Sequence, residues 1–483
     1  MTQQTTEAKP ENELADAALP GAPRPERWWH LVRTALRGTH QDYTSGPIGR
    51  SLLLLAIPMV LETSLESVFA LVDVFFVSRL GADAVATVGL TESMLVMVYT
   101  VAMGLSIGLT AVVSRRIGEK DSDGAARAAV QGIALGLGVA AIVAAVGILF
   151  APRLLALMGA SAAVQTIGAG YTRVMLGGSG TVLLLFLINA IFRGAGDATI
   201  AMRSLWLANA INIVLDPCLI FGLGPFPQLG VAGAAVATTI GRATGVLYQV
   251  SQLRRRDGRV LIRRRHLTLD PPVMANVLRL SGVGTFQVLI ATTSYVGLVR
   301  VVSSFGSSVL AGYTIAIRLL MFVLLPSWGL SNAAATMVGQ ALGAGQPDRA
   351  ERSVRLAGKY NMLLLGLVSV AFLLMAPQIV GTFSSDPAVL AQGILALRTT
   401  AVGLLFYGYG MVLHQSFNGA GDTWTPTYLN LLCFWLLQIP LAWLLSRHLG
   451  AWGAYLAIPL AESTLTVLSA MVFARGRWKR QRV

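Results

Sequence analysis

From residue 50 onward the chain is a succession of apolar runs separated by short polar connections. Each run has about the ~20 residues that a helix needs to cross the hydrocarbon core of a bilayer. The runs fall at 50–79, 84–112, 125–150, 160–191, 199–222, 229–252, 275–301, 309–339, 353–376, 389–416, 424–447 and 451–475. Lipid offers backbone groups no hydrogen-bond partner, so runs of this length predict helices that satisfy themselves. The expected fold class is all-α, a polytopic membrane protein of twelve transmembrane helices. Residues 1–45 break the pattern: they are polar and Pro-bearing, with no early apolar stretch for a signal peptidase, which predicts a disordered tail. Its end, from Arg27-Trp28-Trp29 to Arg37, reads equally as a short helix at the headgroup level or as a plain linker.

The pattern is also duplicated. Phe192-Arg193-Gly194-Ala195-Gly196-Asp197 returns as Phe417-Asn418-Gly419-Ala420-Gly421-Asp422, 225 residues later. The same shift lays Val113, Ile117, Gly118 and Ala125 on Val338, Leu342, Gly343 and Ala350, and Leu80-Gly81 on Phe305-Gly306. The expected organisation is an N-terminal six-helix lobe (46–252), a basic linker (253–274), a C-terminal six-helix lobe (275–475) and a basic tail (476–483). Two copies of six spans share one orientation, so their pseudo-two-fold axis should run along the membrane normal, with a site between them near mid-membrane.

Composition narrows the class. Of 483 residues 54% are hydrophobic and 12% charged, and the mean hydropathy is +0.65. A soluble chain is about a quarter charged, which excludes an ordinary soluble enzyme. The formal charge of +14 could suggest nucleic acid. Its bases, however, gather in alternate connections: 29 of the 37 Lys and Arg lie there, and the intervening connections hold only Arg79, Arg153, Arg300 and Arg447. By the positive-inside rule both termini are cytoplasmic, as an even number of spans requires. The expected location is the inner (plasma) membrane, multi-pass, with no nucleic-acid partner. Arg254-Arg255-Arg256 and Arg263-Arg264-Arg265 in the linker read as topology signal in preference to a polybasic lipid contact. Cys218 and Cys433 lie in apolar runs, which indicates neither a disulfide framework nor a thiolate metal site.

Charges at bilayer depth each cost roughly 2.5–3.5 kcal/mol on insertion scales and persist with a partner, a wet cavity or a role. In the first span Glu62, Glu66 and Asp73 fall on one helix face; in the fifth, Asn209, Asn212 and Asp216 do the same. Asp73 and Asp216 stand at similar depth near the outer ends of their spans. The copies of these positions differ: Glu62 maps to Gln287, Asp73 to Leu298 and Asp216 to Leu441. Helix packing alone would keep an acid in both copies, whereas a cation or proton site is needed once. Clustered carboxylates in low dielectric can take up and release a proton. The expected coupling group is thus Asp73, Asn212, Asp216, Glu62, Glu66 and Asn209. It could hold a proton or a sodium ion at Asp73, Asn212 and Asp216, with no other metal and no organic cofactor.

Pro58, inside the first span, is a candidate hinge or a static kink. Arg318 and Glu462 are expected to form a buried ion pair, and His414 with Gln415 to hydrogen-bond at the cytoplasmic interface. Glu92 could join the acidic group or face another cavity. Asp197 and Asp422 are expected to cap the helices that follow their Gly-Ala-Gly turns. Those turns lack the Lys-Ser/Thr and the preceding strand of a phosphate loop. No catalytic motif appears, so the chain is not expected to be an enzyme. Phe69, Met94, Gln287, Tyr295 and Met321, with Met97 and Phe286 nearby, are candidates to line a substrate cavity.

With Leu71-Val72-Asp73-Val74-Phe75-Phe76-Val77-Ser78-Arg79-Leu80-Gly81, the two Phe-x-Gly-x-Gly-Asp turns and Asn212-Ile213-Val214-Leu215-Asp216-Pro217, residues 46–475 resemble the multidrug and toxic compound extrusion transporters. They are similar in particular to the branch of the prokaryotic DNA-damage-inducible protein F. The resemblance implies two six-helix lobes in a V that rock between inward-facing and outward-facing states, exchanging organic substrates for protons or sodium ions. It carries the coupling role to Asp73, Asn212 and Asp216, the bending proline to Pro58, and a partner to Thr238 or Thr239. Other branches place an acid in the seventh span, where this chain has Gln287.

The expected function is secondary-active efflux of amphipathic, often cationic compounds, by a protein that works as a monomer among membrane lipids. The alternatives are a flippase of lipid or lipid-linked oligosaccharide from the same superfamily, and a passive ion channel.

Overall fold

The computed structural model describes residues 28–38, 41–256, 258–481 and 483, without the side chains of Trp28 and of residues 67–74. The expected disorder of the tail falls mostly outside these residues. Its end is the helix α1 (Trp28–Arg37). The first lobe contains α2 (Ile48–Ser78), α3 (Ala82–Gly118), α4 (Ser122–Leu157), α5 (Ala162–Gly177), α6 (Ser179–Ala195), α7 (Ala198–Phe221) and α8 (Val231–Leu253). The second repeats the order as α9 (Pro271–Ser303), α10 (Ser307–Gly343), α11 (Pro347–Gly381), α12 (Pro387–Ala401), α13 (Leu404–Gly419), α14 (Trp424–Asn430), α15 (Ile439–Leu449) and α16 (Ala451–Ala474). A π-helical stretch, Leu431–Gln438, joins α14 to α15. No strand occurs among the described residues.

Ten helical segments among the described residues are long and apolar enough to cross a bilayer, and α12 with α13, bent by 54°, makes an eleventh. The sixth expected span is α8, which falls short of that apolarity. Arg242, Thr238, Gln249 and Gln252 dilute it; Arg242 donates to Tyr99 Oη at 2.9 Å and the other three are buried inside the lobe, which shelters them from lipid. The break in each lobe's fourth span is also shared: α5 and α6 divide at Gly178, α12 and α13 at Val402-Gly403.

The two Phe-x-Gly-x-Gly-Asp turns have the same geometry. Gly196 and Gly421 take φ of +89° and +84°, a conformation only glycine adopts without strain. Asp197 N–H donates to Phe192 O at 2.8 Å, and Asp422 N–H to Phe417 O at 2.9 Å. The carboxylates diverge. Asp422 caps as expected, accepting from Thr425 N at 3.3 Å and Thr425 Oγ1 at 2.7 Å. Asp197 makes no capping bond; Arg259 of the linker draws it away, 3.5 Å from its Nε.

The segment 43–46 and the last described residues share one end of the bundle, and there the lobes are fastened. Arg349 donates to the carbonyls of Tyr43, Ser45 and Gly46, Lys479 reaches Glu351 at 2.5 Å, and Arg115 donates to the Gln481 carbonyl. The linker is moored to α4 by Asp123, which takes Arg265 at 2.7 Å, and by Gln131, which donates to Thr268 O at 2.8 Å. Between the lobes, Thr336 Oγ1 donates to Arg193 O at 3.1 Å and Gln340 Nε2 to Gly194 O at 2.9 Å. The first half of α2 buries Leu52, Leu55 and Met59 in a core shared with Ala334, Met337 and Val338 of α10. Among the described residues no hydrogen bond joins the lobes at the opposite end. The hydrogen bonds that join the lobes thus gather, among the described residues, at the terminal end.

Candidate functional site

Two polar groups lie inside the first lobe. Toward the end away from the fastened one, Asn212 and Asp216 stand one turn apart on α7, and Asp216 is fully buried. Asn212 Nδ2 donates to Asp216 Oδ1 at 3.3 Å and to Thr238 Oγ1 of α8 at 3.0 Å. Of the two threonines considered, Thr238 is the one that reaches Asn212; Thr239 donates to Ala235 O of its own helix. Asn209, one turn earlier, is buried with no partner for its Nδ2 among the described residues. Asp73 and Phe69, the remaining first-span candidates at this depth, have side chains outside the described ones.

The second group lies deeper toward the terminal end. Glu62 Oε1 accepts from Asn189 Nδ2 at 3.0 Å and from Arg193 Nη1 at 3.1 Å. Asn189 Oδ1 accepts from Ser204 Oγ at 3.1 Å and Gln249 Nε2 at 2.6 Å. Four helices, α2, α6, α7 and α8, thus meet through one network, and the buried Glu62 charge is compensated by Arg193 with side-chain exposures of 4% and 16%. Glu62 and Glu66 line a cavity of about 370 Å³ between the lobes, with Thr336 and Asn332 opposite. Glu62 thus hydrogen-bonds Asn189 and Arg193, and Asp216 accepts from Asn212. Asn189, Ser204 and Gln249 carry no charge, so bilayer-depth charges alone do not single them out in sequence. The signal was present, since each is a polar residue inside an apolar run.

A second cavity of about 450 Å³ adjoins the first, sharing Met103, Trp328, Gln415 and Asn418 with it. Gln287, Tyr295 and Met321 line it as expected. Met94 does not: it packs against the hydrophobic core of the first lobe, because its position on α3 turns inward. Met97 and Phe286 are exposed. His414 departs from expectation as well; it faces this cavity, and its Nε2 finds no partner among the described residues. The expected Arg318–Glu462 pair is absent among the described residues. Glu462 sits at the middle of α16 lining the cavity, whereas Arg318 is exposed on α10. Glu92 is exposed. Pro58 lies within an unbroken α2.

The MatE family model matches this chain twice, over residues 58–218 and 285–444, at nearly the offset of the internal repeat. The chain belongs to the MatE family. The probable multidrug resistance protein YoeA of Bacillus subtilis (strain 168) is 27% identical over 456 residues, covering 92% of this chain and 97% of that protein. The FAD transporter of Shewanella oneidensis is 28% identical over 428 residues, covering 86% and 92%. Among solved structures, the outward-facing conformation of a multidrug resistance MATE family transporter of the MOP superfamily superposes with a TM-score of 0.83 at 27% identity, covering 90% of this chain and 97% of that one. The two-lobed architecture of these transporters is the architecture of this chain, a multi-pass membrane protein of the multidrug efflux family.

Proposed function

We propose that this MatE family member is a secondary-active exporter that exchanges amphipathic, often cationic organic compounds for protons or sodium ions. The observation that carries the reading is Asp216, a carboxylate with no exposure at bilayer depth, bonded to an asparagine that also holds Thr238. Such a group is costly in lipid unless it serves a pathway. Asp73 completes the coupling group from the first span. With both termini cytoplasmic, the open V faces outward, and substrate occupies the cavities between the lobes. An outside cation loads Asp73 and Asp216, α2 bends at Pro58, and the substrate site loses affinity. A ligand moves this equilibrium only by its differential affinity for the two states. The protein acts as a monomer in the inner membrane and uses no cofactor besides the coupling ion.

The cavities between the lobes carry Glu62, Glu66 and Glu462, with the cation Arg193 already bound to Glu62. That lining suits cations better than the phosphates a lipid-linked flippase would hold. The test is efflux of a cationic dye from proteoliposomes with a proton gradient and a sodium gradient imposed separately. One of them should drive dye against its concentration gradient. Current or dye flux independent of both would overturn the exchanger.

A further inference from the structure

At the terminal end, outside the inter-lobe cavities, a separate cavity of about 320 Å³ is enclosed by α1, the start of α7, the end of α8 and the linker. Its polar lining is dominated by three arginines from three elements: Arg37 at the end of α1, Arg203 on α7 and Arg255 just after α8. The acid in its wall, Asp197, is already paired with Arg259. Arg203 spends one nitrogen on the carbonyls of Leu36 (2.7 Å) and Arg37 (3.1 Å), which fixes it between α1 and α7. Arg37 and Arg255 have no acceptor among the described residues. Guanidinium groups that line one cavity with donors to spare recognise a planar or tetrahedral oxyanion, and arginine favours phosphate.

The place of the cavity narrows the source. Its outer wall, α1, buries Leu31 and Ala35 against the bundle and leaves Trp29 78% exposed. This is the division of faces of a helix lying in the interface, with tryptophan at the headgroup level. We propose that this cavity binds a phosphate ester, gripped by Arg37, Arg203 and Arg255, and that an anionic phospholipid headgroup supplies it. The ester pins α1 to α7 and α8. The site is independent of the transported substrate and of the coupling ion.

The test uses the full-length protein in detergent micelles, with thermal unfolding followed as short-chain phosphatidylglycerol, phosphatidylcholine of the same chains, or inorganic phosphate is titrated in. Phosphatidylglycerol should raise Tm saturably and phosphatidylcholine should not. Arg37→Gln/Arg255→Gln should weaken the apparent affinity by roughly tenfold or more, as expected for lost charge-assisted bonds. Both side chains are exposed and make no ion pair or hydrogen bond among the described residues, so the fold does not depend on them. The control Arg254→Gln/Arg256→Gln removes the same charge from neighbours outside the cavity and should change the affinity less than about twofold. Saturation by inorganic phosphate alone would support the site and move its source to a soluble ester. No preference for phosphatidylglycerol together with no effect of phosphate, or equal losses in the two double variants, would overturn the proposal.

Discussion

The two lobes share a fold and a turn motif but not an interior. In the first, Glu62, Asn189 and Arg193 form a charged, hydrogen-bonded network. The 225-residue shift puts Gln287, His414 and Asn418 in their places. There, Gln287 Oε1, His414 Nε2 and Asn418 Oδ1 each lack a partner among the described residues, and all three side chains line the cavity of about 450 Å³. Likewise Asn212, Asp216 and Thr238 become Leu437, Leu441 and Ser463. Duplication supplied the helices and divergence the chemistry. One copy gathers polar side chains around the carboxylates of Glu62 and Asp216, while the other sets Gln287, His414 and Asn418 on a cavity wall. A lobe whose carboxylates sit in hydrogen-bonded networks suits ion coupling, and one with unengaged neutral groups on a cavity wall suits contact with a ligand.

The largest effect that would break this contrast is on transport. Asp216→Asn should lower gradient-driven efflux by at least about tenfold, a coupling loss of ~1.4 kcal/mol or more, while Leu441→Asn at the matching second-lobe position should leave coupling intact; initial rates in proteoliposomes read both. Next comes stability. Glu62→Ala leaves Arg193 and Asn189 without their acceptor at a buried site and should cost about 3 kcal/mol, measured by denaturant or thermal unfolding in detergent. Gln287→Ala, which breaks no hydrogen bond described for its side chain, should cost about 1 kcal/mol or less. Gln249→Leu should cost about 1–3 kcal/mol, since Asn189 and Ser204 each lose a bond from Nε2. The smallest effect separates the two turns. Asp422→Ala removes a helix cap and should cost about 1 kcal/mol, and Asp422→Asn, which keeps an acceptor for Thr425, should recover most of it in the same unfolding measurement.

Much of this contrast is legible in the chain before any coordinates. Apolar run length and alternating basic connections specify the helices and their common terminal end, because lipid leaves backbone few choices. The repeat shows through the turns, where glycine is required by a positive φ. The Asn212-x-x-x-Asp216 stripe is readable since polar residues one turn apart on a helix share a face. Partner choice across helices is not. Arg193 lies beside a turn and reads as topology signal, yet the α6 backbone carries it back to Glu62. Glu462 and Arg318 stand at plausible depths for a pair, yet no ion pair joins them among the described residues, and no local pattern encodes which side chains of two distant helices meet. Asp197 loses its cap to Arg259, a residue 62 positions away whose placement depends on the folded linker.

The most direct measurement is uphill transport by Asp216→Asn set beside the unmodified protein. Proteoliposomes loaded with equal dye inside and outside are given the driving ion gradient, and dye distribution is followed to steady state. The account predicts that the unmodified protein builds a dye gradient while Asp216→Asn leaves the two sides equal. An equally steep dye gradient in both would contradict the assignment of ion coupling to the first lobe.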